Sequence, residues 1–175
     1  WHPWPSPGGW VRWTGSCGGC ALGHLTASAQ ARWKEAQLRA RVPTPERVRP
    51  IVESGRTVGY RNQSKLVVGR RADGTLLLGG YAPRRHEIVD LTACTLIEPP
   101  LQLATALVHE RLAASPIAVY DEGTRAGELR YVLLRANAQG ALLVTLVTRS
   151  AVVNHLDDLV KQLVDIPGLA GIVQS

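Results

Sequence analysis

Hydrophobic and polar positions fall into distinct periods along the chain, and the changes of period mark its elements. Over residues 26–41 the apolar positions Ala29, Trp33, Ala36 and Ala40 recur at helical spacing, with Arg32, Lys34, Arg39 and Arg41 on the remaining faces. Thr26 offers the oxygen that an N-cap needs, and Pro43 and Pro45 end the helix and open a linker through Pro50. From residue 59 to 70 the period drops to two. Arg61, Gln63 and Lys65 take one face there, and Tyr60, Leu66 and Val68 take the other. Asp73-Gly74 reads as a hairpin turn, with residues 75–81 returning as the partner strand. A short strand over 87–90 follows. Pro99 and Pro100 then open a helix that closes near Ser115, with Leu103, Leu107 and Val108 turned inward. The last third reads as strand 128–136, turn 137–140, strand 141–148, helix 153–164 and strand 169–173. This order predicts an α+β fold, a mainly antiparallel sheet with helices packed on one face, plus a small cysteine-loop subdomain.

At 175 residues the chain is long enough to bury one real core. No apolar run approaches the ~20 residues that cross a bilayer, which removes a membrane-spanning reading. Residues 1–9 are rich in Trp and Pro and lack the basic and apolar regions of a signal peptide, so the cytoplasm is expected. Cysteines there serve more often as ligands or catalysts than as disulfide partners. Met is absent altogether, and the chain reads as a piece of a longer reading frame. Residues 1–16 hold Trp1, Trp4, Trp10 and Trp13 among Pro and Gly and read as irregular, non-native sequence. The expected organisation is therefore 1–16 irregular, 17–50 a cysteine loop with its helix, and 51–175 a central α+β domain.

Charge sharpens the choice of partner. Residues 1–85 hold fourteen Lys/Arg against four Asp/Glu, whereas residues 86–175 hold six against ten. A basic half of this kind points to a polyanion such as RNA. Arg61 and Lys65 on one strand face, Arg84, Arg85 and His86 in a loop, and Arg70 and Arg71 near the hairpin tip are the expected phosphate contacts. The bland alternative is a solvated strand face with tip charges that discourage edge pairing. Trp33 reads as packing, Asp157 and Asp158 as a solvated helix face, and His109 and His155 carry no role. No glycine-rich dinucleotide loop follows any strand.

The chemistry concentrates in Cys17-Gly18-Gly19-Cys20 and the one remaining cysteine, Cys94. Two thiolates separated by two glycines form a tight loop whose sulfurs can face one metal or cluster, and Cys94 would then tie that loop to the body of the domain. Three other readings use the same residues. The bland one is unliganded, simply buried thiols, the second is a dithiol redox pair of Cys17 and Cys20, and the third is zinc held by the three thiolates with His24.

Several motifs then fall in one family's order. Cys17-Gly-Gly-Cys20-Ala-Leu-Gly-His24-Leu25 with Gln30 and Lys34, Gly59-Tyr60-Arg61-Asn62, and His86-Glu87-Ile88-Val89-Asp90 with Cys94 and Pro99 come first. Gly127-Glu128-Leu129-Arg130 through Leu134-Arg135, the run 143–147 and Gly171-Ile172-Val173-Gln174 follow. Over residues 17–175 the chain resembles the bacterial S-adenosylmethionine-dependent RNA (uracil-C5) methyltransferases that carry a 4Fe-4S cluster. The Cys-Gly-Gly-Cys loop leans to the 23S ribosomal RNA branch over the transfer RNA branch. The resemblance implies that Cys17, Cys20 and Cys94 are cluster ligands, that His24 is not, and that the partner is RNA bound by a monomer. It also implies that the nucleophile, base and S-adenosylmethionine pocket belong to a catalytic domain this chain lacks, so no catalytic residue is assigned. The family's first cluster cysteine falls at Val11, which leaves three thiolates where a 4Fe-4S cluster takes four.

Overall fold

A computed structural model describes residues 17–175. The expectations for residues 1–16, including Val11 and the four early tryptophans, lie outside the described residues. The chain divides into two compact units between Thr57 and Val58.

The first unit holds helix α1 (Ala27–Arg39) and a short 3-10 turn, Pro45–Arg47. The Thr26 hydroxyl accepts the Ala29 N–H at 3.1 Å, which satisfies one of the orphan donors at the helix start. Arg39 closes the other end. Its guanidinium pairs with Glu35 at 3.0 Å and donates to the carbonyls of Pro45 at 2.8 Å and Val48 at 2.7 Å, folding the proline segment back on the helix. Glu35 also accepts the Ile51 N–H at 3.1 Å, and that bond and Arg39 hold its carboxyl below the ordinary value. The expected stripe of Ala29, Trp33, Ala36 and Ala40 is not the buried one. Ala31 is the buried residue of α1, while Trp33 is 47% exposed. Alanines outline no face sharply, because each removes too little apolar area from water to orient a helix.

The second unit is one six-stranded sheet with two helices. Its elements are β1 (Gln63–Arg70), β2 (Leu76–Tyr81), β3 (Ile88–Asp90), α2 (Pro99–Ala114), β4 (Leu129–Ala136), β5 (Leu142–Thr148), α3 (Leu156–Leu163) and β6 (Leu169–Gln174). The spatial order is β3-β2-β1-β4-β5-β6. The sheet is mixed. Four neighbouring pairs are antiparallel, and β6 runs parallel to β5 because α3 carries the chain back to the start of the sheet between them.

The core lies between the helices and one sheet face. Leu66 and Val68 of β1, Val132 and Leu134 of β4, and Val144 and Leu146 of β5 alternate inward and are buried. They join Leu101, Ala104, Val108 and Leu112 of α2 and Leu159 and Leu163 of α3 in one cluster. The inward stripe of α2 differs from the expectation, since Leu103 is 52% exposed and Leu107 is half-buried, and of the expected three only Val108 is buried. Apolar residues occur on every side of the helix, so its sequence defines no single face. The spacing from Leu101 to 104, 108 and 112 is what a 3.6-residue period lays against the sheet.

Two glycines shape the β3 edge. A Cβ on Gly79 would collide with the carbonyl of Val89, and one on Gly69 would collide with the Ile88 side chain. Gly79 must therefore be glycine for β3 to pair closely with β2, whereas at Gly69 the end of the Ile88 side chain could turn aside.

Candidate nucleic-acid interface

The cysteine loop of the first unit is a chain of tight turns. Gly18 takes a positive φ of 60°, and the Cys17 sulfur lies 3.7 Å from where a Cβ on Gly19 would stand. The Cys20 carbonyl accepts the Gly23 N–H at 2.8 Å, and the Leu22 carbonyl accepts the Leu25 N–H at 2.9 Å, which delivers the chain to the Thr26 cap. Cys17 and Cys20 are both half-buried. Cys94 belongs to the second unit. It sits between β3 and α2, half-buried and packed against the core, with its N–H on the Leu91 carbonyl at 3.0 Å. Its own carbonyl accepts from Gln102 Nε2 at 3.3 Å, a bond that ties it to the first turn of α2. Among the described residues no three His, Cys, Asp or Glu side chains form a group that could hold a metal ion. The three cysteines are thus divided between the two units, two on one and one on the other.

The seven basic positions all lie on the second unit, and the fold sorts them. Arg61 precedes β1, with its N–H on the Leu96 carbonyl at 2.8 Å and its carbonyl accepting the Glu98 N–H at 3.0 Å. Its side chain is exposed. Lys65 is also exposed, and its Nζ stands 4.4 Å above the centre of the Tyr131 ring. Because β2 runs antiparallel to β1, the loop that follows Tyr81 returns towards the end of the sheet where β1 begins. That loop carries Arg84, at a φ of 60°, together with Arg85 and His86, all exposed. The His86 ring meets the Tyr81 ring edge-on at 5.6 Å. Arg61, Lys65, Arg84, Arg85 and His86 therefore share one end of the sheet. Arg70 and Arg71 flank the β1–β2 hairpin at the opposite end, where Arg70 Nη1 is occupied by the Gly74 carbonyl at 2.8 Å.

The periodic reading passed over a second set of residues. Arg130 stacks 4.6 Å over the Tyr120 ring, lies 5.7 Å from the Tyr131 ring and pairs with Glu122 at 2.9 Å. The hydrogen bond to Glu122 pushes the Arg130 guanidinium still higher, so it stays charged at any relevant pH. Burial raises the Tyr81 phenol, and Tyr131 and Glu122 nearby add to the effect. Lys65, Tyr131, Arg130 and Tyr120 thus form one continuous run of stacked cations and rings. The signal in the sequence was the alternation of Tyr131, Leu133 and Arg135 with Val132, Leu134 and Ala136 along β4. It marks the face of β4 that turns away from the core.

No family model matches the chain. Its sequence is similar to proteins described as uncharacterized RNA methyltransferases. One from Listeria monocytogenes is 33% identical over 167 residues, and one from Halalkalibacterium halodurans is 32% identical over 166. A third, from Clostridium tetani, is 27% identical over 165 residues. Each match covers 91% of this chain and 36% of the relative, so the chain spans about a third of the length of these proteins. Among solved structures, the fold is similar to that of the Pyrococcus abyssi tRNA (uracil-54, C5)-methyltransferase, crystallised with S-adenosyl-L-homocysteine. The TM-score is 0.65 at 24% identity, covering 82% of this chain and 34% of that one. The comparisons support a relationship to RNA methyltransferases. Among the described residues, no helix is long and apolar enough to cross a membrane.

Proposed function

We propose that this chain is the RNA-gripping and cluster-binding portion of an S-adenosylmethionine-dependent RNA (uracil-C5) methyltransferase acting on 23S ribosomal RNA. The observation that carries the reading is the 33% identity over 167 residues to an RNA methyltransferase, in a chain whose motifs follow one family's order. The basic end of the sheet supports it, because Arg61, Lys65, Arg84, Arg85 and His86 offer phosphate contacts from one place on the fold. No residue of these 175 is assigned to methyl transfer, and the chain by itself methylates nothing. It works as a monomer in the cytoplasm, and S-adenosylmethionine is held by residues beyond it.

In this proposal Cys17, Cys20 and Cys94 ligate a 4Fe-4S cluster that fastens the cysteine loop to the central domain. The residues meet the cluster's needs incompletely. Three thiolates are present where four are usual, with Val11 at the place of the fourth, and no described group of side chains forms a metal cage. No chemical step is therefore routed through it. The experiment is anaerobic reconstitution with iron and sulfide of the parent chain and of Val11→Cys, read by visible absorption and iron content. Binding of about four irons by the variant, with the broad absorption of an iron–sulfur centre near ~400 nm, supports the cluster. If neither form takes up iron and both hold zinc tightly, the cluster reading fails and a zinc-bound nucleic-acid module replaces it.

A further inference from the structure

Both helices of the second unit bury against the same face of the sheet, the one lined by Leu66, Leu134 and Leu146. The opposite face has no helix of this unit on it, and β3 crowds over its Gly69 and Gly79 corner. Beyond that corner it presents Tyr131, half-buried, beside Lys65 and Arg135, both exposed. The register places Lys65 directly across from Leu133, and Gln63 across from Arg135. Tyr81 is 36% exposed and lies within electrostatic reach of Tyr131 and Arg130. Among the described residues, neither Lys65 nor Arg135 has an acidic partner within ion-pair distance, whereas Arg130 is matched by Glu122.

We propose that this open sheet face holds an unpaired stretch of RNA, with Tyr131 and Tyr81 stacking on bases and Lys65 and Arg135 meeting the phosphates. The inference rests on the RNA reading given above and names the surface and the form of RNA. Aromatic rings standing on strands, with cations beside them, suit bases free of a helix, because the faces of bases inside a duplex are already stacked on one another. The uncompensated charge favours a polyanion over a protein partner, since lysine is depleted from the buried centre of protein interfaces. The Lys65 ammonium above the Tyr131 ring leaves one position for both interactions. A base sliding over the ring displaces the ammonium towards the adjoining phosphate.

The test is fluorescence anisotropy of the 175-residue chain with a labelled oligouridylate and with an RNA hairpin of equal length, at several salt concentrations. The parent is expected to prefer the unpaired strand. Tyr131→Ala weakens that binding about tenfold, while Tyr131→Phe, which keeps the ring, stays within about twofold. Lys65→Ala, at an exposed site, lowers the salt slope by about 0.7, the share of one phosphate on a single strand. Circular dichroism checks that each variant is folded, and Lys65→Ala carries the test if Tyr131→Ala is not. If both variants bind like the parent while Arg84→Ala and Arg85→Ala lose affinity, the RNA reading stands and this face is overturned. If the parent binds neither RNA, the underlying reading falls as well. If the chain instead dimerises and Tyr131→Ala breaks the dimer without changing RNA affinity, the face is a protein interface and the proposal fails.

Discussion

Gly79 shows how much one missing methyl group decides. Its substitution by Ala would drive a Cβ into the Val89 backbone, which has no rotamer by which to move aside. Gly79→Ala is expected to cost about 1–3 kcal/mol as β3 is pushed off the sheet, read as a lower urea midpoint. An unchanged midpoint would mean that the Val89 backbone does not press against Gly79 in solution. Asp73 carries a pH effect instead. Its carboxylate accepts the Thr75 N–H at 2.9 Å across the hairpin turn, and this bond, with the Thr75 hydroxyl, lowers its pKa below the ordinary 3.8. A carboxyl with a lowered folded pKa contributes stability that is present above the ordinary value and lost as the pH falls through the folded one. Asp73→Asn is therefore expected to flatten the acid side of the melting-temperature profile. If parent and variant profiles stay parallel on acidification, the turn bond adds nothing to stability. Thr26, Asp73 and the Cys-Gly-Gly-Cys loop were legible in the sequence because their bonds close within a few residues. Tyr131 was not, because Lys65 reaches its ring from the neighbouring strand, and Arg130, next to it in sequence, stands at an irregularity in the β4–β5 register.

Helix α2 separates periodicity from packing. Leu101 is fully buried, while Leu103, two residues on and chemically identical, is half in solvent. Leu101→Ala is expected to destabilise the fold by about 2–5 kcal/mol, because it removes a side chain from a closed cluster and leaves a cavity. Leu103→Ala should stay within about 0.5 kcal/mol, the usual range for a surface change. Chemical denaturation of the two variants side by side decides this, and equal losses would mean that α2 is rotated. The extents of the helices and strands followed from local periods, caps and prolines to within a few residues. The buried face of α2 did not, since Leu, Ala and Val occur on every side of it.

For the whole molecule, the division between Thr57 and Val58 has a consequence in solution. Residues 51–57 are exposed, and Arg56 stands within them. Limited digestion with trypsin is expected to cut after Arg56 early and to leave residues 57–175 as a resistant fragment, because strand ladders hold the remaining chain. Early cutting inside the sheet, at Arg135 for instance, would contradict a compact second unit.

The sequence by itself determined where strands, helices and turns lie and that one half is basic. Those properties are set by neighbours along the chain, through backbone sterics, side-chain period and composition. Tertiary structure alone decided that β6 runs parallel to β5, that Leu101 turns inward in place of Leu103, and that one sheet face stays free of helices within its unit. Each of these depends on which distant surfaces exclude water together. That selection belongs to the packed chain as a whole, and no local pattern encodes it.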